Sequence, residues 1–184
     1  LKPEKLRGEV IFNKVNFAYQ GEDWVLKNVD FHIKPGETLA IVGATGSGKT
    51  SIISLINRFY THQSGLISID GTDIRDFDLQ ALRHKMALVL QDVFLFSGSV
   101  FDNITLRDES ISREKVLSAA KMIGAHEFIE KLPGGYDYQV MERGATLSMG
   151  QRQLISFVRA LVFEPDILIL DEATSSIDPA SESV

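Results

Sequence analysis

Eight consecutive residues, Gly43-Ala44-Thr45-Gly46-Ser47-Gly48-Lys49-Thr50, fit the pattern G-x-x-x-x-G-K-[ST]. Each residue type there has a chemical reason. Glycines let backbone N–H groups turn inward and come close to a phosphate. The helix that follows adds its free N–H groups and the positive end of its dipole. Lys49 supplies a point charge for β- and γ-phosphates, and the Thr50 hydroxyl can ligate Mg²⁺. The bland reading, a Gly-rich turn with a chance lysine, explains neither the full match nor its place between an apolar run and a helical pattern.

A second element is the apolar run Ile167–Leu170 followed by Asp171 and Glu172. Asp171 is placed to hold Mg²⁺ through water, as the acidic partner of a phosphate loop does. Glu172 could orient or deprotonate the attacking water. Alone, this is equally a strand that ends in a solvated acidic turn; a phosphate loop upstream decides for the metal. Guanine is disfavoured. A guanine-specific protein should carry Asn-Lys-x-Asp after the phosphate loop, and the near match Asn13-Lys14-Val15-Asn16 lies before it and lacks the aspartate.

The elements that must position these residues are legible in outline. Strands are expected at 10–12, 15–19, 24–33, 38–42, 65–70, 86–90 and 167–170, the 38–42 run being apolar throughout as in a strand buried on both faces. Asp70-Gly71 is a turn signal. Helical spacing predicts helices at 49–60, about 78–85, 113–132 with a break at Gly124, and 149–163 stopped by Pro165. Residues 1–8 read as a linker or arm, 9–184 as one nucleotide-binding domain, and about 92–147 as a helical insert.

Composition narrows the class. The 184 residues are 44% hydrophobic and 24% charged, ordinary for a folded soluble chain. There is no cysteine, which excludes a disulfide framework, a thiolate metal site and a cysteine nucleophile. A net charge of −6 argues against a broad nucleic-acid face. No apolar run approaches the roughly 18 residues of a membrane span. Any membrane role must come through a partner or through other chain.

Leu147-Ser148-Met149-Gly150-Gln151-Arg152-Gln153 makes a capping-box pattern at a helix start, Ser148 with Gln151. The same string closely resembles the signature motif L-S-G-G-Q of ABC transporter ATPases. Other parts of that family stand in order: Tyr19 matches the aromatic that stacks on adenine, Gln91 the Q-loop glutamine, and Ser176-Ile177-Asp178 the D-loop. The run 91–100 and Glu142-Arg143-Gly144 look like the exporters of the lipid, drug and peptide type.

The resemblance implies an α/β P-loop NTPase of ABC ATPase type, with a mostly parallel central sheet, an N-terminal antiparallel β subdomain and a helical subdomain. It implies ATP and Mg²⁺ as ligands, with Glu172, Gln91 and Lys49 catalytic. ATP would be bound by Tyr19, residues 43–51, Gln91, Ser148, Gly150, Gln151, Asp171 and Asp178, and Mg²⁺ by Thr50, Gln91 and Asp171. It implies head-to-tail pairing of two such domains around ATP, attached to membrane domains at the cytoplasmic face of a cell (inner) membrane. Phe94, Leu95 and Phe96 would then be a docking patch rather than core.

Two departures stand out. Met149 replaces the usual glycine and would crowd the γ-phosphate held by the opposite subunit. That suggests a heterodimer in which this chain gives Glu172 to the working site and Met149 to a weaker one. The family's switch histidine has no counterpart, since His32, His62, His84 and His126 all precede Glu172. The domain is thus expected to be C-terminally incomplete and, in isolation, nearly inactive. An ATP-binding module with a regulatory role in an asymmetric pair is the alternative. A DNA-repair ATPase is disfavoured, because the stretch between Gln91 and Ser148 is too short for a long coiled coil.

Overall fold

The computed structural model describes residues 1–141 and 144–171, in two compact units that divide between Met86 and Ala87. The first is built on a four-stranded sheet in the order β2-β1-β3-β4, all antiparallel: β1 (Val10–Ala18), β2 (Trp24–Ile33), β3 (Ser64–Ile69) and β4 (Thr72–Asp73). The sequence suggests two strands where β1 is one, because its apolar phase breaks. Val10 and Phe12 are buried, then Val15 and Phe17. The pairing with β2 slips between Phe12 and Val15, where Lys14 takes a φ of 48°. An extra residue inserted at a bulge switches which parity faces inward, so one strand carries both phases. Phe12 stacks on Phe31 across the ladder, centroids 4.3 Å apart.

Asp70 (φ 51°) and Gly71 (φ 80°) join Ile69 to its partner Thr72. Two left-handed residues give the tight hairpin turn that matches strand twist. The N-terminal arm packs here: Leu6 is buried, and the Asp70 carboxylate accepts the N–H groups of Arg7 (2.7 Å) and Glu9 (3.0 Å).

Helix α1 (Lys49–Ile56) stops four residues short of the predicted end. The Asn57 amide donates to the Ile53 carbonyl at 2.9 Å, and Arg58 turns left-handed at φ 52°, which closes the helix. Asp78 caps the short α2 (Leu79–Arg83), accepting from Ala81 N–H at 2.9 Å. The expected strand at 38–42 is not formed, and Leu39, Ile41 and Val42 are exposed. Apolar composition gives a segment the propensity for a strand, but a strand exists only where a ladder takes up its N–H and C=O groups.

In the second unit β5 (Met86–Val89) pairs with β8 (Ile167–Leu170), and Val89 packs with Ala160 and Phe157 of α6 (Met149–Val162). A second pair, β6 (Gly98–Ser99) and β7 (Gln139–Val140), is antiparallel. Between them lie α3 (Val100–Thr105), α4 (Arg113–Met122) and α5 (His126–Glu130). Gly124, at φ 73°, separates α4 from α5, the break expected from the sequence. One core joins Val100 and Ile104 of α3, Val116 and Ala120 of α4, Ile129 of α5 and Ile155 and Val158 of α6. Ile155 is fully buried; truncating such a residue to alanine costs about 2–5 kcal/mol. Among the described residues no helix is long and apolar enough to cross a membrane.

Candidate nucleotide site

The 43–50 loop enters α1 at Gly48, whose φ is 91°. A side chain at Gly48 would be strained and would meet Leu26 Cδ2 at 2.7 Å, so glycine is required there. Gly48 is also the N-cap of α1, and no side chain caps the first N–H groups. Those donors and the helix dipole face whatever anion the loop holds. The Lys49 ammonium donates to the carbonyls of Gly43 (2.8 Å) and Ala44 (3.1 Å), so it already lies over the loop. Residues 43–47 are exposed. The donor set suits phosphate oxygens: backbone N–H groups, one ammonium and the hydroxyl of Thr50.

Tyr19 sits at the end of the sheet, half exposed, and its hydroxyl is 2.9 Å from Ser51 Oγ. Phe17 meets its ring edge-on at 4.8 Å and Tyr60 does so at 4.9 Å, the latter nearly perpendicular at 88°. Tyr19 is thus held by one hydrogen bond and two ring contacts, with about half of its surface exposed. Sequence reasoning missed Tyr60; the signal was an aromatic pair, Phe59-Tyr60, directly after the apolar face of α1.

In the second unit Ser148 caps α6 in full. Its Oγ accepts the Gln151 N–H at 3.2 Å, and Gln151 Oε1 accepts the Ser148 N–H at 2.9 Å. The predicted capping box is formed. Met149 is half exposed at the first turn and lines a recess of about 70 Å³ with Gln91, Asp92, Val93, Arg152 and Gln153. The Q-loop candidate and the signature candidate thus share one recess. Gly150 and Gln151 lie on the same first turn of α6.

Asp171 directly follows β8, and its N–H donates to the Val89 carbonyl at 2.9 Å. That bond fixes the backbone from which its carboxylate projects. Among the described residues no three His, Asp or Glu side chains form a metal cage. Thr50 lies in the first unit and Gln91 and Asp171 in the second. Glu172, Asp178, Ser176, Ile177, Glu142 and Arg143 lie outside the described residues. Gly144, their neighbour, has φ 66°, and a Cβ there would meet Arg152 Cδ at 2.8 Å and Leu95 Cδ1 at 3.1 Å. Of the expected docking patch, Leu95 is fully buried while Phe94 and Phe96 are exposed.

Residues 26–175 match the family model described as ABC transporter. The chain is 50% identical over 181 residues to a probable multidrug resistance ABC transporter ATP-binding/permease protein, YheH, of Bacillus subtilis (strain 168), covering 98% of this chain and 27% of that protein. It is also 50% identical over 181 residues to an ATP-dependent lipid A-core flippase of Pectobacterium atrosepticum, covering 97% of this chain and 31% of that one. Among solved structures, a bacterial Atm1-family ABC exporter with ATP bound aligns with a TM-score of 0.91 at 40% identity, over 96% of this chain and 31% of that chain. The chain thus spans about a third or less of the relatives it matches.

Proposed function

The chain belongs to the ABC transporter family, and from that premise we propose that it is the ATP-binding and hydrolysing motor domain of an exporter. The observation that carries the proposal is the 43–50 loop delivering Lys49 and Thr50 to the side-chain-free N-terminus of α1. Two such domains pair head to tail around ATP, each site taking a phosphate loop from one subunit and the Ser148 end of α6 from the other. Thr50, Gln91 and Asp171 are the residues that would hold Mg²⁺, which would supply charge neutralisation at the phosphates. Lys49 steadies the β- and γ-phosphates, Tyr19 stacks on adenine, and Glu172 takes the proton of the attacking water. Phe94 and Phe96 dock the intracellular helices of the membrane domain, at the cytoplasmic face of the membrane. The multidrug and lipid A-core exporters this chain resembles favour an amphipathic or apolar cargo.

The test is ATP·Mg²⁺ titration and turnover of the full-length protein beside its Lys49→Ala variant. Wild-type binding in that variant would overturn the phosphate-site assignment.

The exposed Met149 on the first turn of α6 favours a finer reading, a heterodimer whose partner has an unaltered signature and a replaced catalytic glutamate. In the assembled transporter, Met149→Gly should then barely change turnover, while Glu172→Gln nearly abolishes it. A symmetric homodimer on purification would sink this reading. A mainly regulatory ATP-binding role in such a pair is the competing form, and turnover lost with Glu172→Gln excludes it.

A further inference from the structure

Asn103 is 1% exposed, yet its carboxamide serves a surface segment. Its Oδ1 accepts the Phe96 N–H at 2.8 Å, and its Nδ2 donates to the Phe96 carbonyl at 2.9 Å and the Ser99 carbonyl at 3.0 Å. Both backbone groups of Phe96 are thus taken up by one side chain, as a neighbouring strand would do. Arg159, from the third turn of α6, reaches the same place. Its Nε donates to the Asn103 carbonyl at 2.7 Å, one terminal nitrogen to the Phe94 carbonyl at 3.2 Å, and the other lies 3.4 Å from Asn103 Oδ1. All three acceptors are neutral oxygens. Burial lowers the guanidinium's pKa, so its placement costs solvation that no carboxylate among these acceptors offsets.

These bonds fix the backbone that carries two aromatic rings. Phe94 and Phe96 are 48% and 55% exposed, edge to face with centroids 5.0 Å apart. They stand beside a groove of about 520 Å³ lined by Phe96, Ser97, Asp102, Asn103, Leu106 and Arg107. Arg159 lies on the helix that begins at Ser148, about 16 Å along its axis.

We propose that Asn103 and Arg159 are positioning residues that clamp the 94–96 segment to α6, so that the nucleotide-facing end of α6 and the Phe94–Phe96 pair move as one body. This rests on the docking reading of Phe94 and Phe96, and extends it to how the two ends communicate. A planar fork is needed at 159, because three acceptors lie around one guanidinium; an ammonium cannot span them. A carboxamide is needed at 103, because Phe96 asks for a donor and an acceptor at once.

The experiment is hydrogen exchange of the 94–99 segment in the full-length protein, with and without a non-hydrolysable ATP analogue and Mg²⁺. The Phe96 amide should exchange as slowly as core helix amides, and the segment should respond to the analogue. Arg159→Lys and Asn103→Asp should each speed exchange about tenfold, one net hydrogen bond's worth, and erase the response. Analogue affinity and the KM for ATP should stay near wild type, while transport per ATP hydrolysed falls. A purely structural role would not separate those readouts. A fast-exchanging Phe96 amide in the wild type, or a nucleotide response that survives Arg159→Lys, overturns the clamp even if Asn103→Asp does not fold. Phe94→Ala with Phe96→Ala tests the docking reading separately. It should keep the slow backbone exchange and lose transport coupling, and unchanged transport would remove the docking role alone.

Discussion

The Tyr19 hydroxyl lies 2.9 Å from the Ser51 hydroxyl, so the ring proposed to stack on the base is tied to the helix proposed to meet the phosphates. On that proposal base and phosphate recognition share one anchor. Tyr19→Ala should weaken ATP binding by about 1–3 kcal/mol, the range for base stacking on an aromatic. Tyr19→Phe keeps the ring and loses only the tether, and should cost about 0.5–1.5 kcal/mol. Calorimetric titration of both variants separates stacking from anchoring, and equal losses would refute the division.

Lys49→Ala should lower affinity for ATP about 10- to 100-fold, the effect of removing one charge-assisted contact. Binding of adenosine, which has no phosphate, should be unaffected. A parallel loss for adenosine would mean that the loop itself had collapsed.

Glu172→Gln should hold ATP without splitting it, because the amide fills the same volume and cannot take a proton. The readout is phosphate release against retained nucleotide after filtration. Normal release would return Glu172 to an acidic turn without a catalytic role.

Gly144→Ala should destabilise the fold by about 1–2 kcal/mol from its left-handed backbone alone. The neighbour it would strike is Arg152 Cδ, the middle of a flexible side chain, with Leu95 close behind. Urea unfolding gives the number, and a neutral result would show that the loop re-forms with another φ.

His62 gives a pH dependence. It is buried and its Nε2 lies 3.3 Å from the Gly65 carbonyl. Burial, and then the charge of Arg75, lower its pKa below the ordinary 6.5; the Gly65 bond and Asp73 oppose this more weakly. The unfolded chain therefore binds the proton more readily, so stability is present above pH 6.5 and is lost as pH falls below it toward the folded-state value. His62→Gln should remove that part of the loss. Denaturation midpoints at about pH 7.5 and 5.5 decide, and equal slopes in both proteins would discard the role.

Local signals were the legible ones. Ser148 with Gln151, the Gly124 break, the Asp70-Gly71 turn and the strand at Trp24–Ile33 each follow from neighbours in sequence. Helix α3 was not foreseen: at six residues it shows too little periodicity, although Ser99 and Asp102 form a complete capping box around its start. The strand expected at 38–42 depends on a distant ladder partner, which composition cannot reveal. The Phe94–Leu95–Phe96 run divides by exposure, and Asn103 pairs with the backbone of its last residue, a contact that no pattern of apolar residues encodes. For the site, the phosphate loop was readable because its chemistry is contiguous. The Tyr60 wall beside Tyr19 was not, since it arises from two segments meeting in space.

Ser148 accepts the Gln151 N–H through an oxygen lone pair, which leaves the hydroxyl's own hydrogen to be given elsewhere. Folding of α6 thus does not consume the group but aims it: closing the cap fixes the oxygen and leaves one O–H able to swing toward an incoming oxyanion. Stability and ligation draw on different valences of the same atom. Replacement by aspartate would keep the cap and abolish the donor, adding a negative charge where a phosphate should arrive. On the proposed head-to-tail pairing, such a variant should fold normally and fail only when two subunits close around ATP.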